Sequence, residues 1–423
     1  MKSLLWIASL LPLSLMAQKK STVTADNKGI HFEHNLTWSD VQRKAKAENK
    51  YIFMDCFTTW CGPCKYMSKN IFPQEAVGNV LNEKFISVKM QLDTSDADNA
   101  EVKKMYATAH ALARNYNVNV YPTFLFFNPN GELVHRAVGS SEATVFLQKT
   151  KEAINPETQY YTLLTLYKKG WRDSSFLHRL TEASMDAYDT ENESKIANDY
   201  LATQPNVYTQ NNLTVLKEVT QKSSDKGFQL VLNNPAKIDS VLGKGTADAI
   251  IQNIVIGEEL YPQMRSQNAK TAKDLTEPNW ADYDKNLGTK YPVQAASLSA
   301  YSKVVFYMSK NDWDKFGPAV VDYMKSYGDN TSEEVLNNFA WTVFQNCNDE
   351  TCLQNALTWS KRSFEKKGNP MFMDTYANIL YRLGKKDDAL LWEQKAKDLV
   401  SENEKAGFQQ TMDKMKNGEK TWN

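Results

Sequence analysis

The chain has 423 residues, which is enough for two or three domains of ordinary size. Its 50 Lys and Arg balance 50 Asp and Glu, so a net charge of zero removes the electrostatic basis for binding nucleic acid or an anionic membrane surface. Five cysteines are too few for a disulfide-rich scaffold, and a hydrophobic fraction of 42% predicts ordinary globular cores.

The N-terminus has the pattern of a secretory signal peptide. A charged start precedes the apolar run from Leu4 to Met16, and the small residue Ala17 follows. The run is short for a membrane span. We therefore predict cleavage after Ala17, with residues 18–35 as an N-terminal linker; an uncleaved anchor is the alternative. The expected location is periplasmic or otherwise exported, without stable membrane insertion after cleavage.

A dithiol motif follows the first predicted strand. Residues 51–57 are typical of a buried strand, and a helix-like run begins at Cys61 and Cys64. Two cysteines three residues apart at a helix start can form a disulfide without moving the backbone. Unpaired N–H groups and the macrodipole favour a thiolate on the first cysteine, which predicts that Cys61 attacks and that Cys64 resolves the mixed disulfide.

The residues around the two cysteines agree with a redox role. Pro63 suits a first helical turn because it lacks an N–H group, and Gly62 leaves space in front of the first sulfur. A zinc site would need a second Cys or Cys/His pair at ligand spacing, and none follows, so we predict no metal. Cys56, inside the strand, is expected to be a buried and inert thiol rather than a third redox centre.

Three further residues, Asp55, Lys89 and Pro122, occur along the chain in an order that is also found in a known protein family. Asp55 lies in an apolar run, where a buried carboxylate is costly unless it has a purpose. Lys89 lies in the predicted strand 85–90, and Pro122 precedes the predicted strand 124–127. A proline at the head of an apolar strand predicts a cis peptide or an edge position.

Together with the Trp60-Cys-Gly-Pro-Cys64 motif, these residues make 36–154 resemble a thioredoxin-fold domain, an α/β fold with a central mixed sheet flanked by helices. The resemblance implies that Asp55 accepts a proton from Cys64, that Lys89 neighbours this carboxylate, and that Pro122 shapes the docking loop. It implies no cofactor.

The resemblance also places a substrate groove beside the dithiol. Trp60, Tyr121, Gly62 and Pro63 are the residues that would line it. Tyr121 departs from the family pattern, which usually has a small or branched apolar residue before the cis-proline. Substrate choice therefore cannot be carried over from the family.

Beyond residue 154 the pattern becomes helical. Helix-like runs separated by Gly, Pro and Asn turn signals predict an all-α domain over 155–330, while 263–292 is polar and predicts a longer connection. The predicted helices are 159–169, 175–188, 193–202, 213–222 and 247–260.

Residues 331–423 carry a weak repeat. Small and large apolar residues starting near Asn338 and again near Asp374 resemble tetratricopeptide helix hairpins, in which alanines let two helices approach closely. The first unit departs from the pattern because its loop is longer. Two interpretations stay open, a helical domain whose aromatic residues form a core and a concave face that binds a peptide or partner.

Cys347 and Cys352 lie in that longer loop. In an oxidising compartment their spacing permits a local structural disulfide, which we predict. The alternatives are two free thiols or a second redox pair that exchanges with Cys61.

The resulting functional prediction is an exported thiol–disulfide oxidoreductase that reduces protein disulfides through Cys61 and Cys64. Its expected partners are disulfide-containing exported proteins and a membrane thiol relay that supplies electrons. The alternatives are a disulfide oxidase or isomerase, or a helical-repeat binding protein with a regulatory dithiol.

Overall fold

The computed structural model describes residues 28–34, 36–264 and 271–422. The predicted signal peptide lies outside these residues. Clustering of contacts divides the chain into two compact units, the first ending at Ile196 and the second beginning at Ala197.

The first unit is built around a five-stranded mixed sheet with strand order β1-β3-β2-β4-β5. The strands β1 and β2 both run parallel to β3, whereas β4 runs antiparallel to its neighbours β2 and β5. Their bounds are β1 Phe32–Glu33, β2 Tyr51–Phe57, β3 Phe85–Gln91, β4 Thr123–Phe127 and β5 Leu133–Val138. This is the thioredoxin fold that the sequence predicts.

Helices cover both faces of the sheet. One apolar layer joins the sheet to α1 and α4, and a second joins it to α3 and α5. These layers form because alternate strand residues point to opposite faces. The helices are α1 Trp38–Glu48, α2 Gly62–Tyr66, α3 Glu75–Lys84, α4 Ala100–Asn115 and α5 Ala143–Ile154, and a π-helical turn, Met67–Ile71, directly continues α2.

Residues 18–35 are predicted to be a linker, but they include the strand β1. It contributes two residues that pair with Ser87 and Val88 of β3. A two-residue strand is too short to show the alternation by which strands are recognised in sequence. Only the partner strand in the folded sheet defines it.

Three more helices complete the first unit: α6 Tyr160–Lys168, α7 Ser174–Asp186 and the start of α8 Thr190–Ala202. The N–H group of Tyr160 donates to Nδ1 of the buried His135 on β5, at 3.1 Å. Burial lowers the pKa of His135 to about 3, so the ring is neutral and can accept this bond. The helical region thus begins with an element fixed to the sheet edge.

The second unit is helical in its described part. It contains α9 Gln210–Val219, α10 Lys226–Asn233, α11 Pro235–Leu242, α12 Thr246–Val255, α13 Tyr261–Met264, α14 Trp280–Lys290, α15 Ala295–Lys310, α16 Trp313–Tyr327, α17 Glu333–Asn346, α18 Glu350–Phe364, α19 Pro370–Arg382, α20 Lys386–Asp398 and α21 Lys405–Asn417. The helix α14 lies within residues 263–292, for which the sequence predicts a polar connection. The prediction missed this helix because its buried residues are Tyr283 and Leu287 and most of its surface is polar.

Consecutive helices of the last hundred residues form hairpins. The helix α17 packs on α18, and α19 packs on α20. This agrees with the predicted helix pairs, although the tetratricopeptide character itself stays a prediction. No helix in the described part of the chain combines the length and apolar character needed to cross a membrane.

Candidate active site

Cys61 and Cys64 form a disulfide at the start of α2, as the motif predicts. Their Cα atoms are 5.3 Å apart. Cys61 is the N-cap of the helix, and its sulfur accepts a hydrogen bond of 3.0 Å from the N–H group of Cys64. A sulfur in this position can be stabilised as a thiolate by the N–H groups that the first helical turn leaves unpaired.

The two residues between the cysteines have the predicted surroundings. Pro63 lies in the first turn of α2. A Cβ atom added to Gly62 would meet no atom within 4 Å, so the space in front of the disulfide is open. Both cysteines are nevertheless only 4% exposed, which limits access to this open side.

The carboxyl group of Asp55, in β2, is buried with 2% exposure. Asp55 and Lys89 face each other across the parallel pair β2–β3, and the Lys89 ammonium is 3.6 Å from Asp55 Oδ2. Burial raises the pKa of Asp55 to about 6, against the opposing effect of Lys89. A carboxyl group with this pKa can both take up and release a proton near neutral pH.

The surroundings of Lys89 contain residues that the sequence did not reveal. Its ammonium donates a hydrogen bond of 2.7 Å to the Ser68 hydroxyl, in the π-helical turn. It also lies between 5.1 and 5.4 Å from the ring centres of three phenylalanines, Phe32, Phe57 and Phe72. A serine in a helix-like run carries no sequence signal for such a contact.

The peptide bond between Tyr121 and Pro122 is cis, which confirms that prediction. The Pro122 carbonyl accepts a hydrogen bond of 2.9 Å from the N–H group of Gly139. The Tyr121 ring meets Trp60 edge-to-face, with centroids 5.8 Å apart, and Trp60 is 69% exposed. The fold thus brings the aromatic pair that was predicted for the groove together beside the disulfide.

Asp93 holds the loop that leads into the motif. The N–H group of Thr59 lies 3.0 Å from each carboxylate oxygen of Asp93, and the Thr59 hydroxyl donates to the same carboxylate. Asp93 follows the end of β3, and its contact with Thr59, 34 residues away, becomes visible only in the folded loop.

The remaining cysteines are three buried free thiols. Alternation along β2 places Cys56 on the face opposite Asp55, where it packs with α1 and α4. Burial raises the pKa of its thiol, as an inert core cysteine requires. Among the described residues, no group of three or more His, Cys, Asp or Glu side chains could hold a metal ion.

Cys347 and Cys352 are both unbonded in this structure, whereas the sequence predicts a structural disulfide between them. Burial raises the pKa of both thiols, to about 12 for Cys352. They pack against α16 at Gly317, where an added Cβ atom would lie 3.1 Å from the Cys347 sulfur and 2.9 Å from the Cys352 sulfur. In this structure the two closely spaced thiols therefore contribute to helix packing and form no disulfide.

The fold and site define a thioredoxin-like domain with a cysteine pair of the redox-active type. Residues 38–154 match the model of the thioredoxin-like domain family.

Two plant and fungal thioredoxins are similar to this region. Thioredoxin Y of Oryza sativa subsp. japonica, a chloroplast protein, is 29% identical over 118 residues, which cover 28% of this chain and 60% of the relative. Thioredoxin-2 of Pyricularia oryzae is 33% identical over 109 residues, covering 26% and 52%.

A bacterial protein is similar over the same region. The thiol:disulfide interchange protein DsbD of Actinobacillus pleuropneumoniae is 31% identical over 119 residues, covering 27% of this chain and 18% of that protein. The chain thus spans between about half and three fifths of the two thioredoxins and less than one fifth of DsbD.

Proposed function

We propose that the protein is a thiol–disulfide oxidoreductase whose active site is the Cys61/Cys64 pair. The observation that carries the proposal is the Cys61–Cys64 disulfide at a helix start, in a domain that also buries Asp55 with a pKa raised to about 6. A thiol pair in this environment can attack disulfides, whereas the buried Cys347 and Cys352 have raised pKa values.

The reaction begins from the reduced pair. The Cys61 thiolate attacks one sulfur of a substrate disulfide, which breaks the substrate S–S bond and releases the other substrate sulfur as a thiolate. Asp55 then takes the proton from Cys64. The Cys64 thiolate attacks Cys61, forms the Cys61–Cys64 disulfide and expels the second substrate thiolate. The substrate gains two electrons, and the enzyme is left oxidised.

Reduction is the direction that we propose, with exported proteins as substrates. The Gly62-Pro63 pair resembles that of reducing thioredoxins, and the N-terminal pattern from Leu4 to Ala17 supports export. An exported reductase needs a supply of electrons, for which we propose a membrane thiol relay. The similarity to a thiol:disulfide interchange protein supports this class of chemistry.

Cys64→Ser tests the proposed catalytic cycle. Without the resolving thiol, mixed disulfides should accumulate on Cys61, and mass spectrometry after non-reducing capture from cells identifies the substrates. Cys61→Ser is the matched control, because it retains one motif thiol but lacks the attacking one. An absence of adducts on Cys64→Ser, together with no reduction of insulin by the wild type, would favour the alternative of a binding protein with a regulatory dithiol.

Direction and location need separate measurements. The reduction potential of the Cys61/Cys64 pair, set by equilibration with glutathione, should lie near that of a reducing thioredoxin, about −270 mV. A value near −120 mV, with efficient refolding of reduced ribonuclease, would instead support an oxidase. Fractionation of cells that produce the full chain, with N-terminal sequencing, tests export and cleavage after Ala17.

A further inference from the structure

The helix that carries the dithiol changes its winding directly after α2. The N–H group of Phe72 bonds the carbonyl of Met67 at 2.9 Å, five residues back, as expected of the π-helical turn Met67–Ile71. Met67 and Ile71 are buried, while Ser68 between them is only half-buried. π-Helical turns are rare in proteins, but those that do occur are frequently found at functional sites, because they redirect single side chains.

Ser68 reaches the Lys89 ammonium, which lies beside the buried carboxyl group of Asp55. Its hydroxyl accepts a hydrogen bond of 2.7 Å from Lys89, whose ammonium is 3.6 Å from Asp55 Oδ2. That second distance exceeds the roughly 2.7–2.9 Å of a direct charge-assisted hydrogen bond. The attraction between Lys89 and Asp55 therefore acts across a gap, and its strength depends on where the ammonium is held.

The Lys89 side chain is only partly held by burial. It is 30% exposed, and a lysine ammonium is strongly hydrated and borne on a flexible four-carbon stem. The rings of Phe32, Phe57 and Phe72 surround the ammonium but form no hydrogen bonds with it. The Ser68 hydroxyl gives the Lys89 ammonium a hydrogen-bond acceptor within the protein, in competition with water.

We propose that Ser68 is a positioning residue, which holds the Lys89 ammonium beside Asp55 and so controls the proton transfer from Cys64 to Asp55. This inference rests on the proposed function of the dithiol. The step itself is the proton transfer given above: the proton leaves the Cys64 thiol for the Asp55 carboxylate, and the sulfur electron pair then attacks Cys61. Ser68 touches neither sulfur and acts through Lys89.

Ser68→Ala tests the proposal through the titration of Asp55. In the reduced full-length protein, carbon-13 NMR of labelled aspartate follows this carboxyl group directly. Loss of the hydroxyl should let Lys89 move towards solvent and raise the titration midpoint of Asp55 by about one pH unit, as expected when an ammonium moves away by a few ångströms. The pH profile of the resolving step should move in the same direction, and Ser68→Thr should restore both.

Two control variants separate this role from a structural one. Asn70→Ala changes an exposed residue of the same π-helical turn, whose side chain donates to the Tyr66 carbonyl, and should leave the Asp55 midpoint unchanged. Lys89→Gln should raise the midpoint further than Ser68→Ala, and adding Ser68→Ala to Lys89→Gln should raise it no more. An unchanged or lowered midpoint in Ser68→Ala, or an equal effect in Asn70→Ala, overturns the inference. The NMR titration needs no substrate, so failure of the oxidoreductase proposal would appear separately, as missing adducts on Cys64→Ser.

Discussion

Both compact units contain a cysteine pair with short spacing and a buried acidic side chain. In the first unit, Cys61 caps a helix start, and the buried Asp55 has the cation of Lys89 as its neighbour. In the second unit, Cys347 and Cys352 pack against Gly317, and the fully buried Glu393 lies beside another acid, Asp374. Similar residue types thus have different surroundings in the two units.

This comparison identifies the features that make such residues reactive. A thiol at a helix start has N–H groups to stabilise its charge, whereas the buried thiols of the second unit have raised pKa values. A buried carboxyl group next to an ammonium keeps a pKa of about 6, whereas burial and the Asp374 carboxylate raise the pKa of Glu393. These effects favour the protonated form of Glu393, which is unsuited to proton uptake.

Removing each cysteine pair should give the largest contrast between the units. Cys61→Ser with Cys64→Ser should reduce insulin reduction to the uncatalysed rate, because no other described cysteine lies at a helix N-cap. Cys347→Ser with Cys352→Ser should retain the activity of the wild type. Comparable loss in both double variants would show that the second pair takes part in the reaction.

Asp55→Asn should stabilise the protein while it slows the resolving step. The folded pKa of Asp55, about 6, lies above its ordinary value, so the contribution of this group to stability is full below about pH 4 and is lost as the pH rises through 6. At pH 8 the variant should be more stable by roughly 2–3 kcal/mol, since one pKa unit corresponds to about 1.4 kcal/mol.

Urea unfolding at pH 4 and pH 8 measures this effect, and the lifetime of a mixed disulfide measures the resolving step. Equal stability of Asp55→Asn and the wild type at pH 8 would mean that burial does not destabilise the ionised carboxyl group. A mixed disulfide resolved at the wild-type rate would remove Asp55 from the proposed proton transfer.

Glu393→Gln should stabilise the second unit without changing activity. Because the folded pKa is raised, the contribution of Glu393 to stability is present at acidic pH and declines as the pH rises above the ordinary glutamate value. The amide stays neutral, so the variant should gain on the order of 1–3 kcal/mol at pH 8 and little at pH 4. Urea unfolding followed by tryptophan fluorescence at both pH values provides the measurement, and insulin reduction is the control.

Gly317→Ala should have the smallest effect, a destabilisation of about 1 kcal/mol, although alanine normally favours a helix over glycine. The new methyl group would lie within 3.1 Å of both Cys347 and Cys352 sulfurs. In a background with Cys347→Ala and Cys352→Ala the same change should become neutral or stabilising, and thermal unfolding of the wild type and the three variant proteins completes the cycle. Additive effects would contradict the packing role of the second pair.

Much of the first unit could be predicted from local sequence. The predicted strand 51–57 coincides with β2, and the predicted strand 85–90 ends one residue before β3 does. The dithiol at a helix start and the cis bond before Pro122 are also confirmed. These features depend on alternation, on helix-start chemistry and on proline, all of which act within a few residues.

The features that could not be predicted depend on contacts distant in sequence. The strand β1 exists only through its pairing with β3, and Lys89 meets Ser68 21 residues away, at a helical turn whose winding no local pattern indicates. In the second unit, the neighbours of Cys347 and Cys352 come from α16, so spacing alone did not reveal that these thiols pack against Gly317.

Local sequence is therefore sufficient to predict the thioredoxin fold, the pair Cys61/Cys64 and the identity of the buried acid Asp55. The charge environment of each group depends on the folded chain, because burial and the nearest charged neighbour set a pKa and both come from distant segments. This is why Asp55 and Glu393, two acids that folding buries, differ in the proton chemistry that they can support.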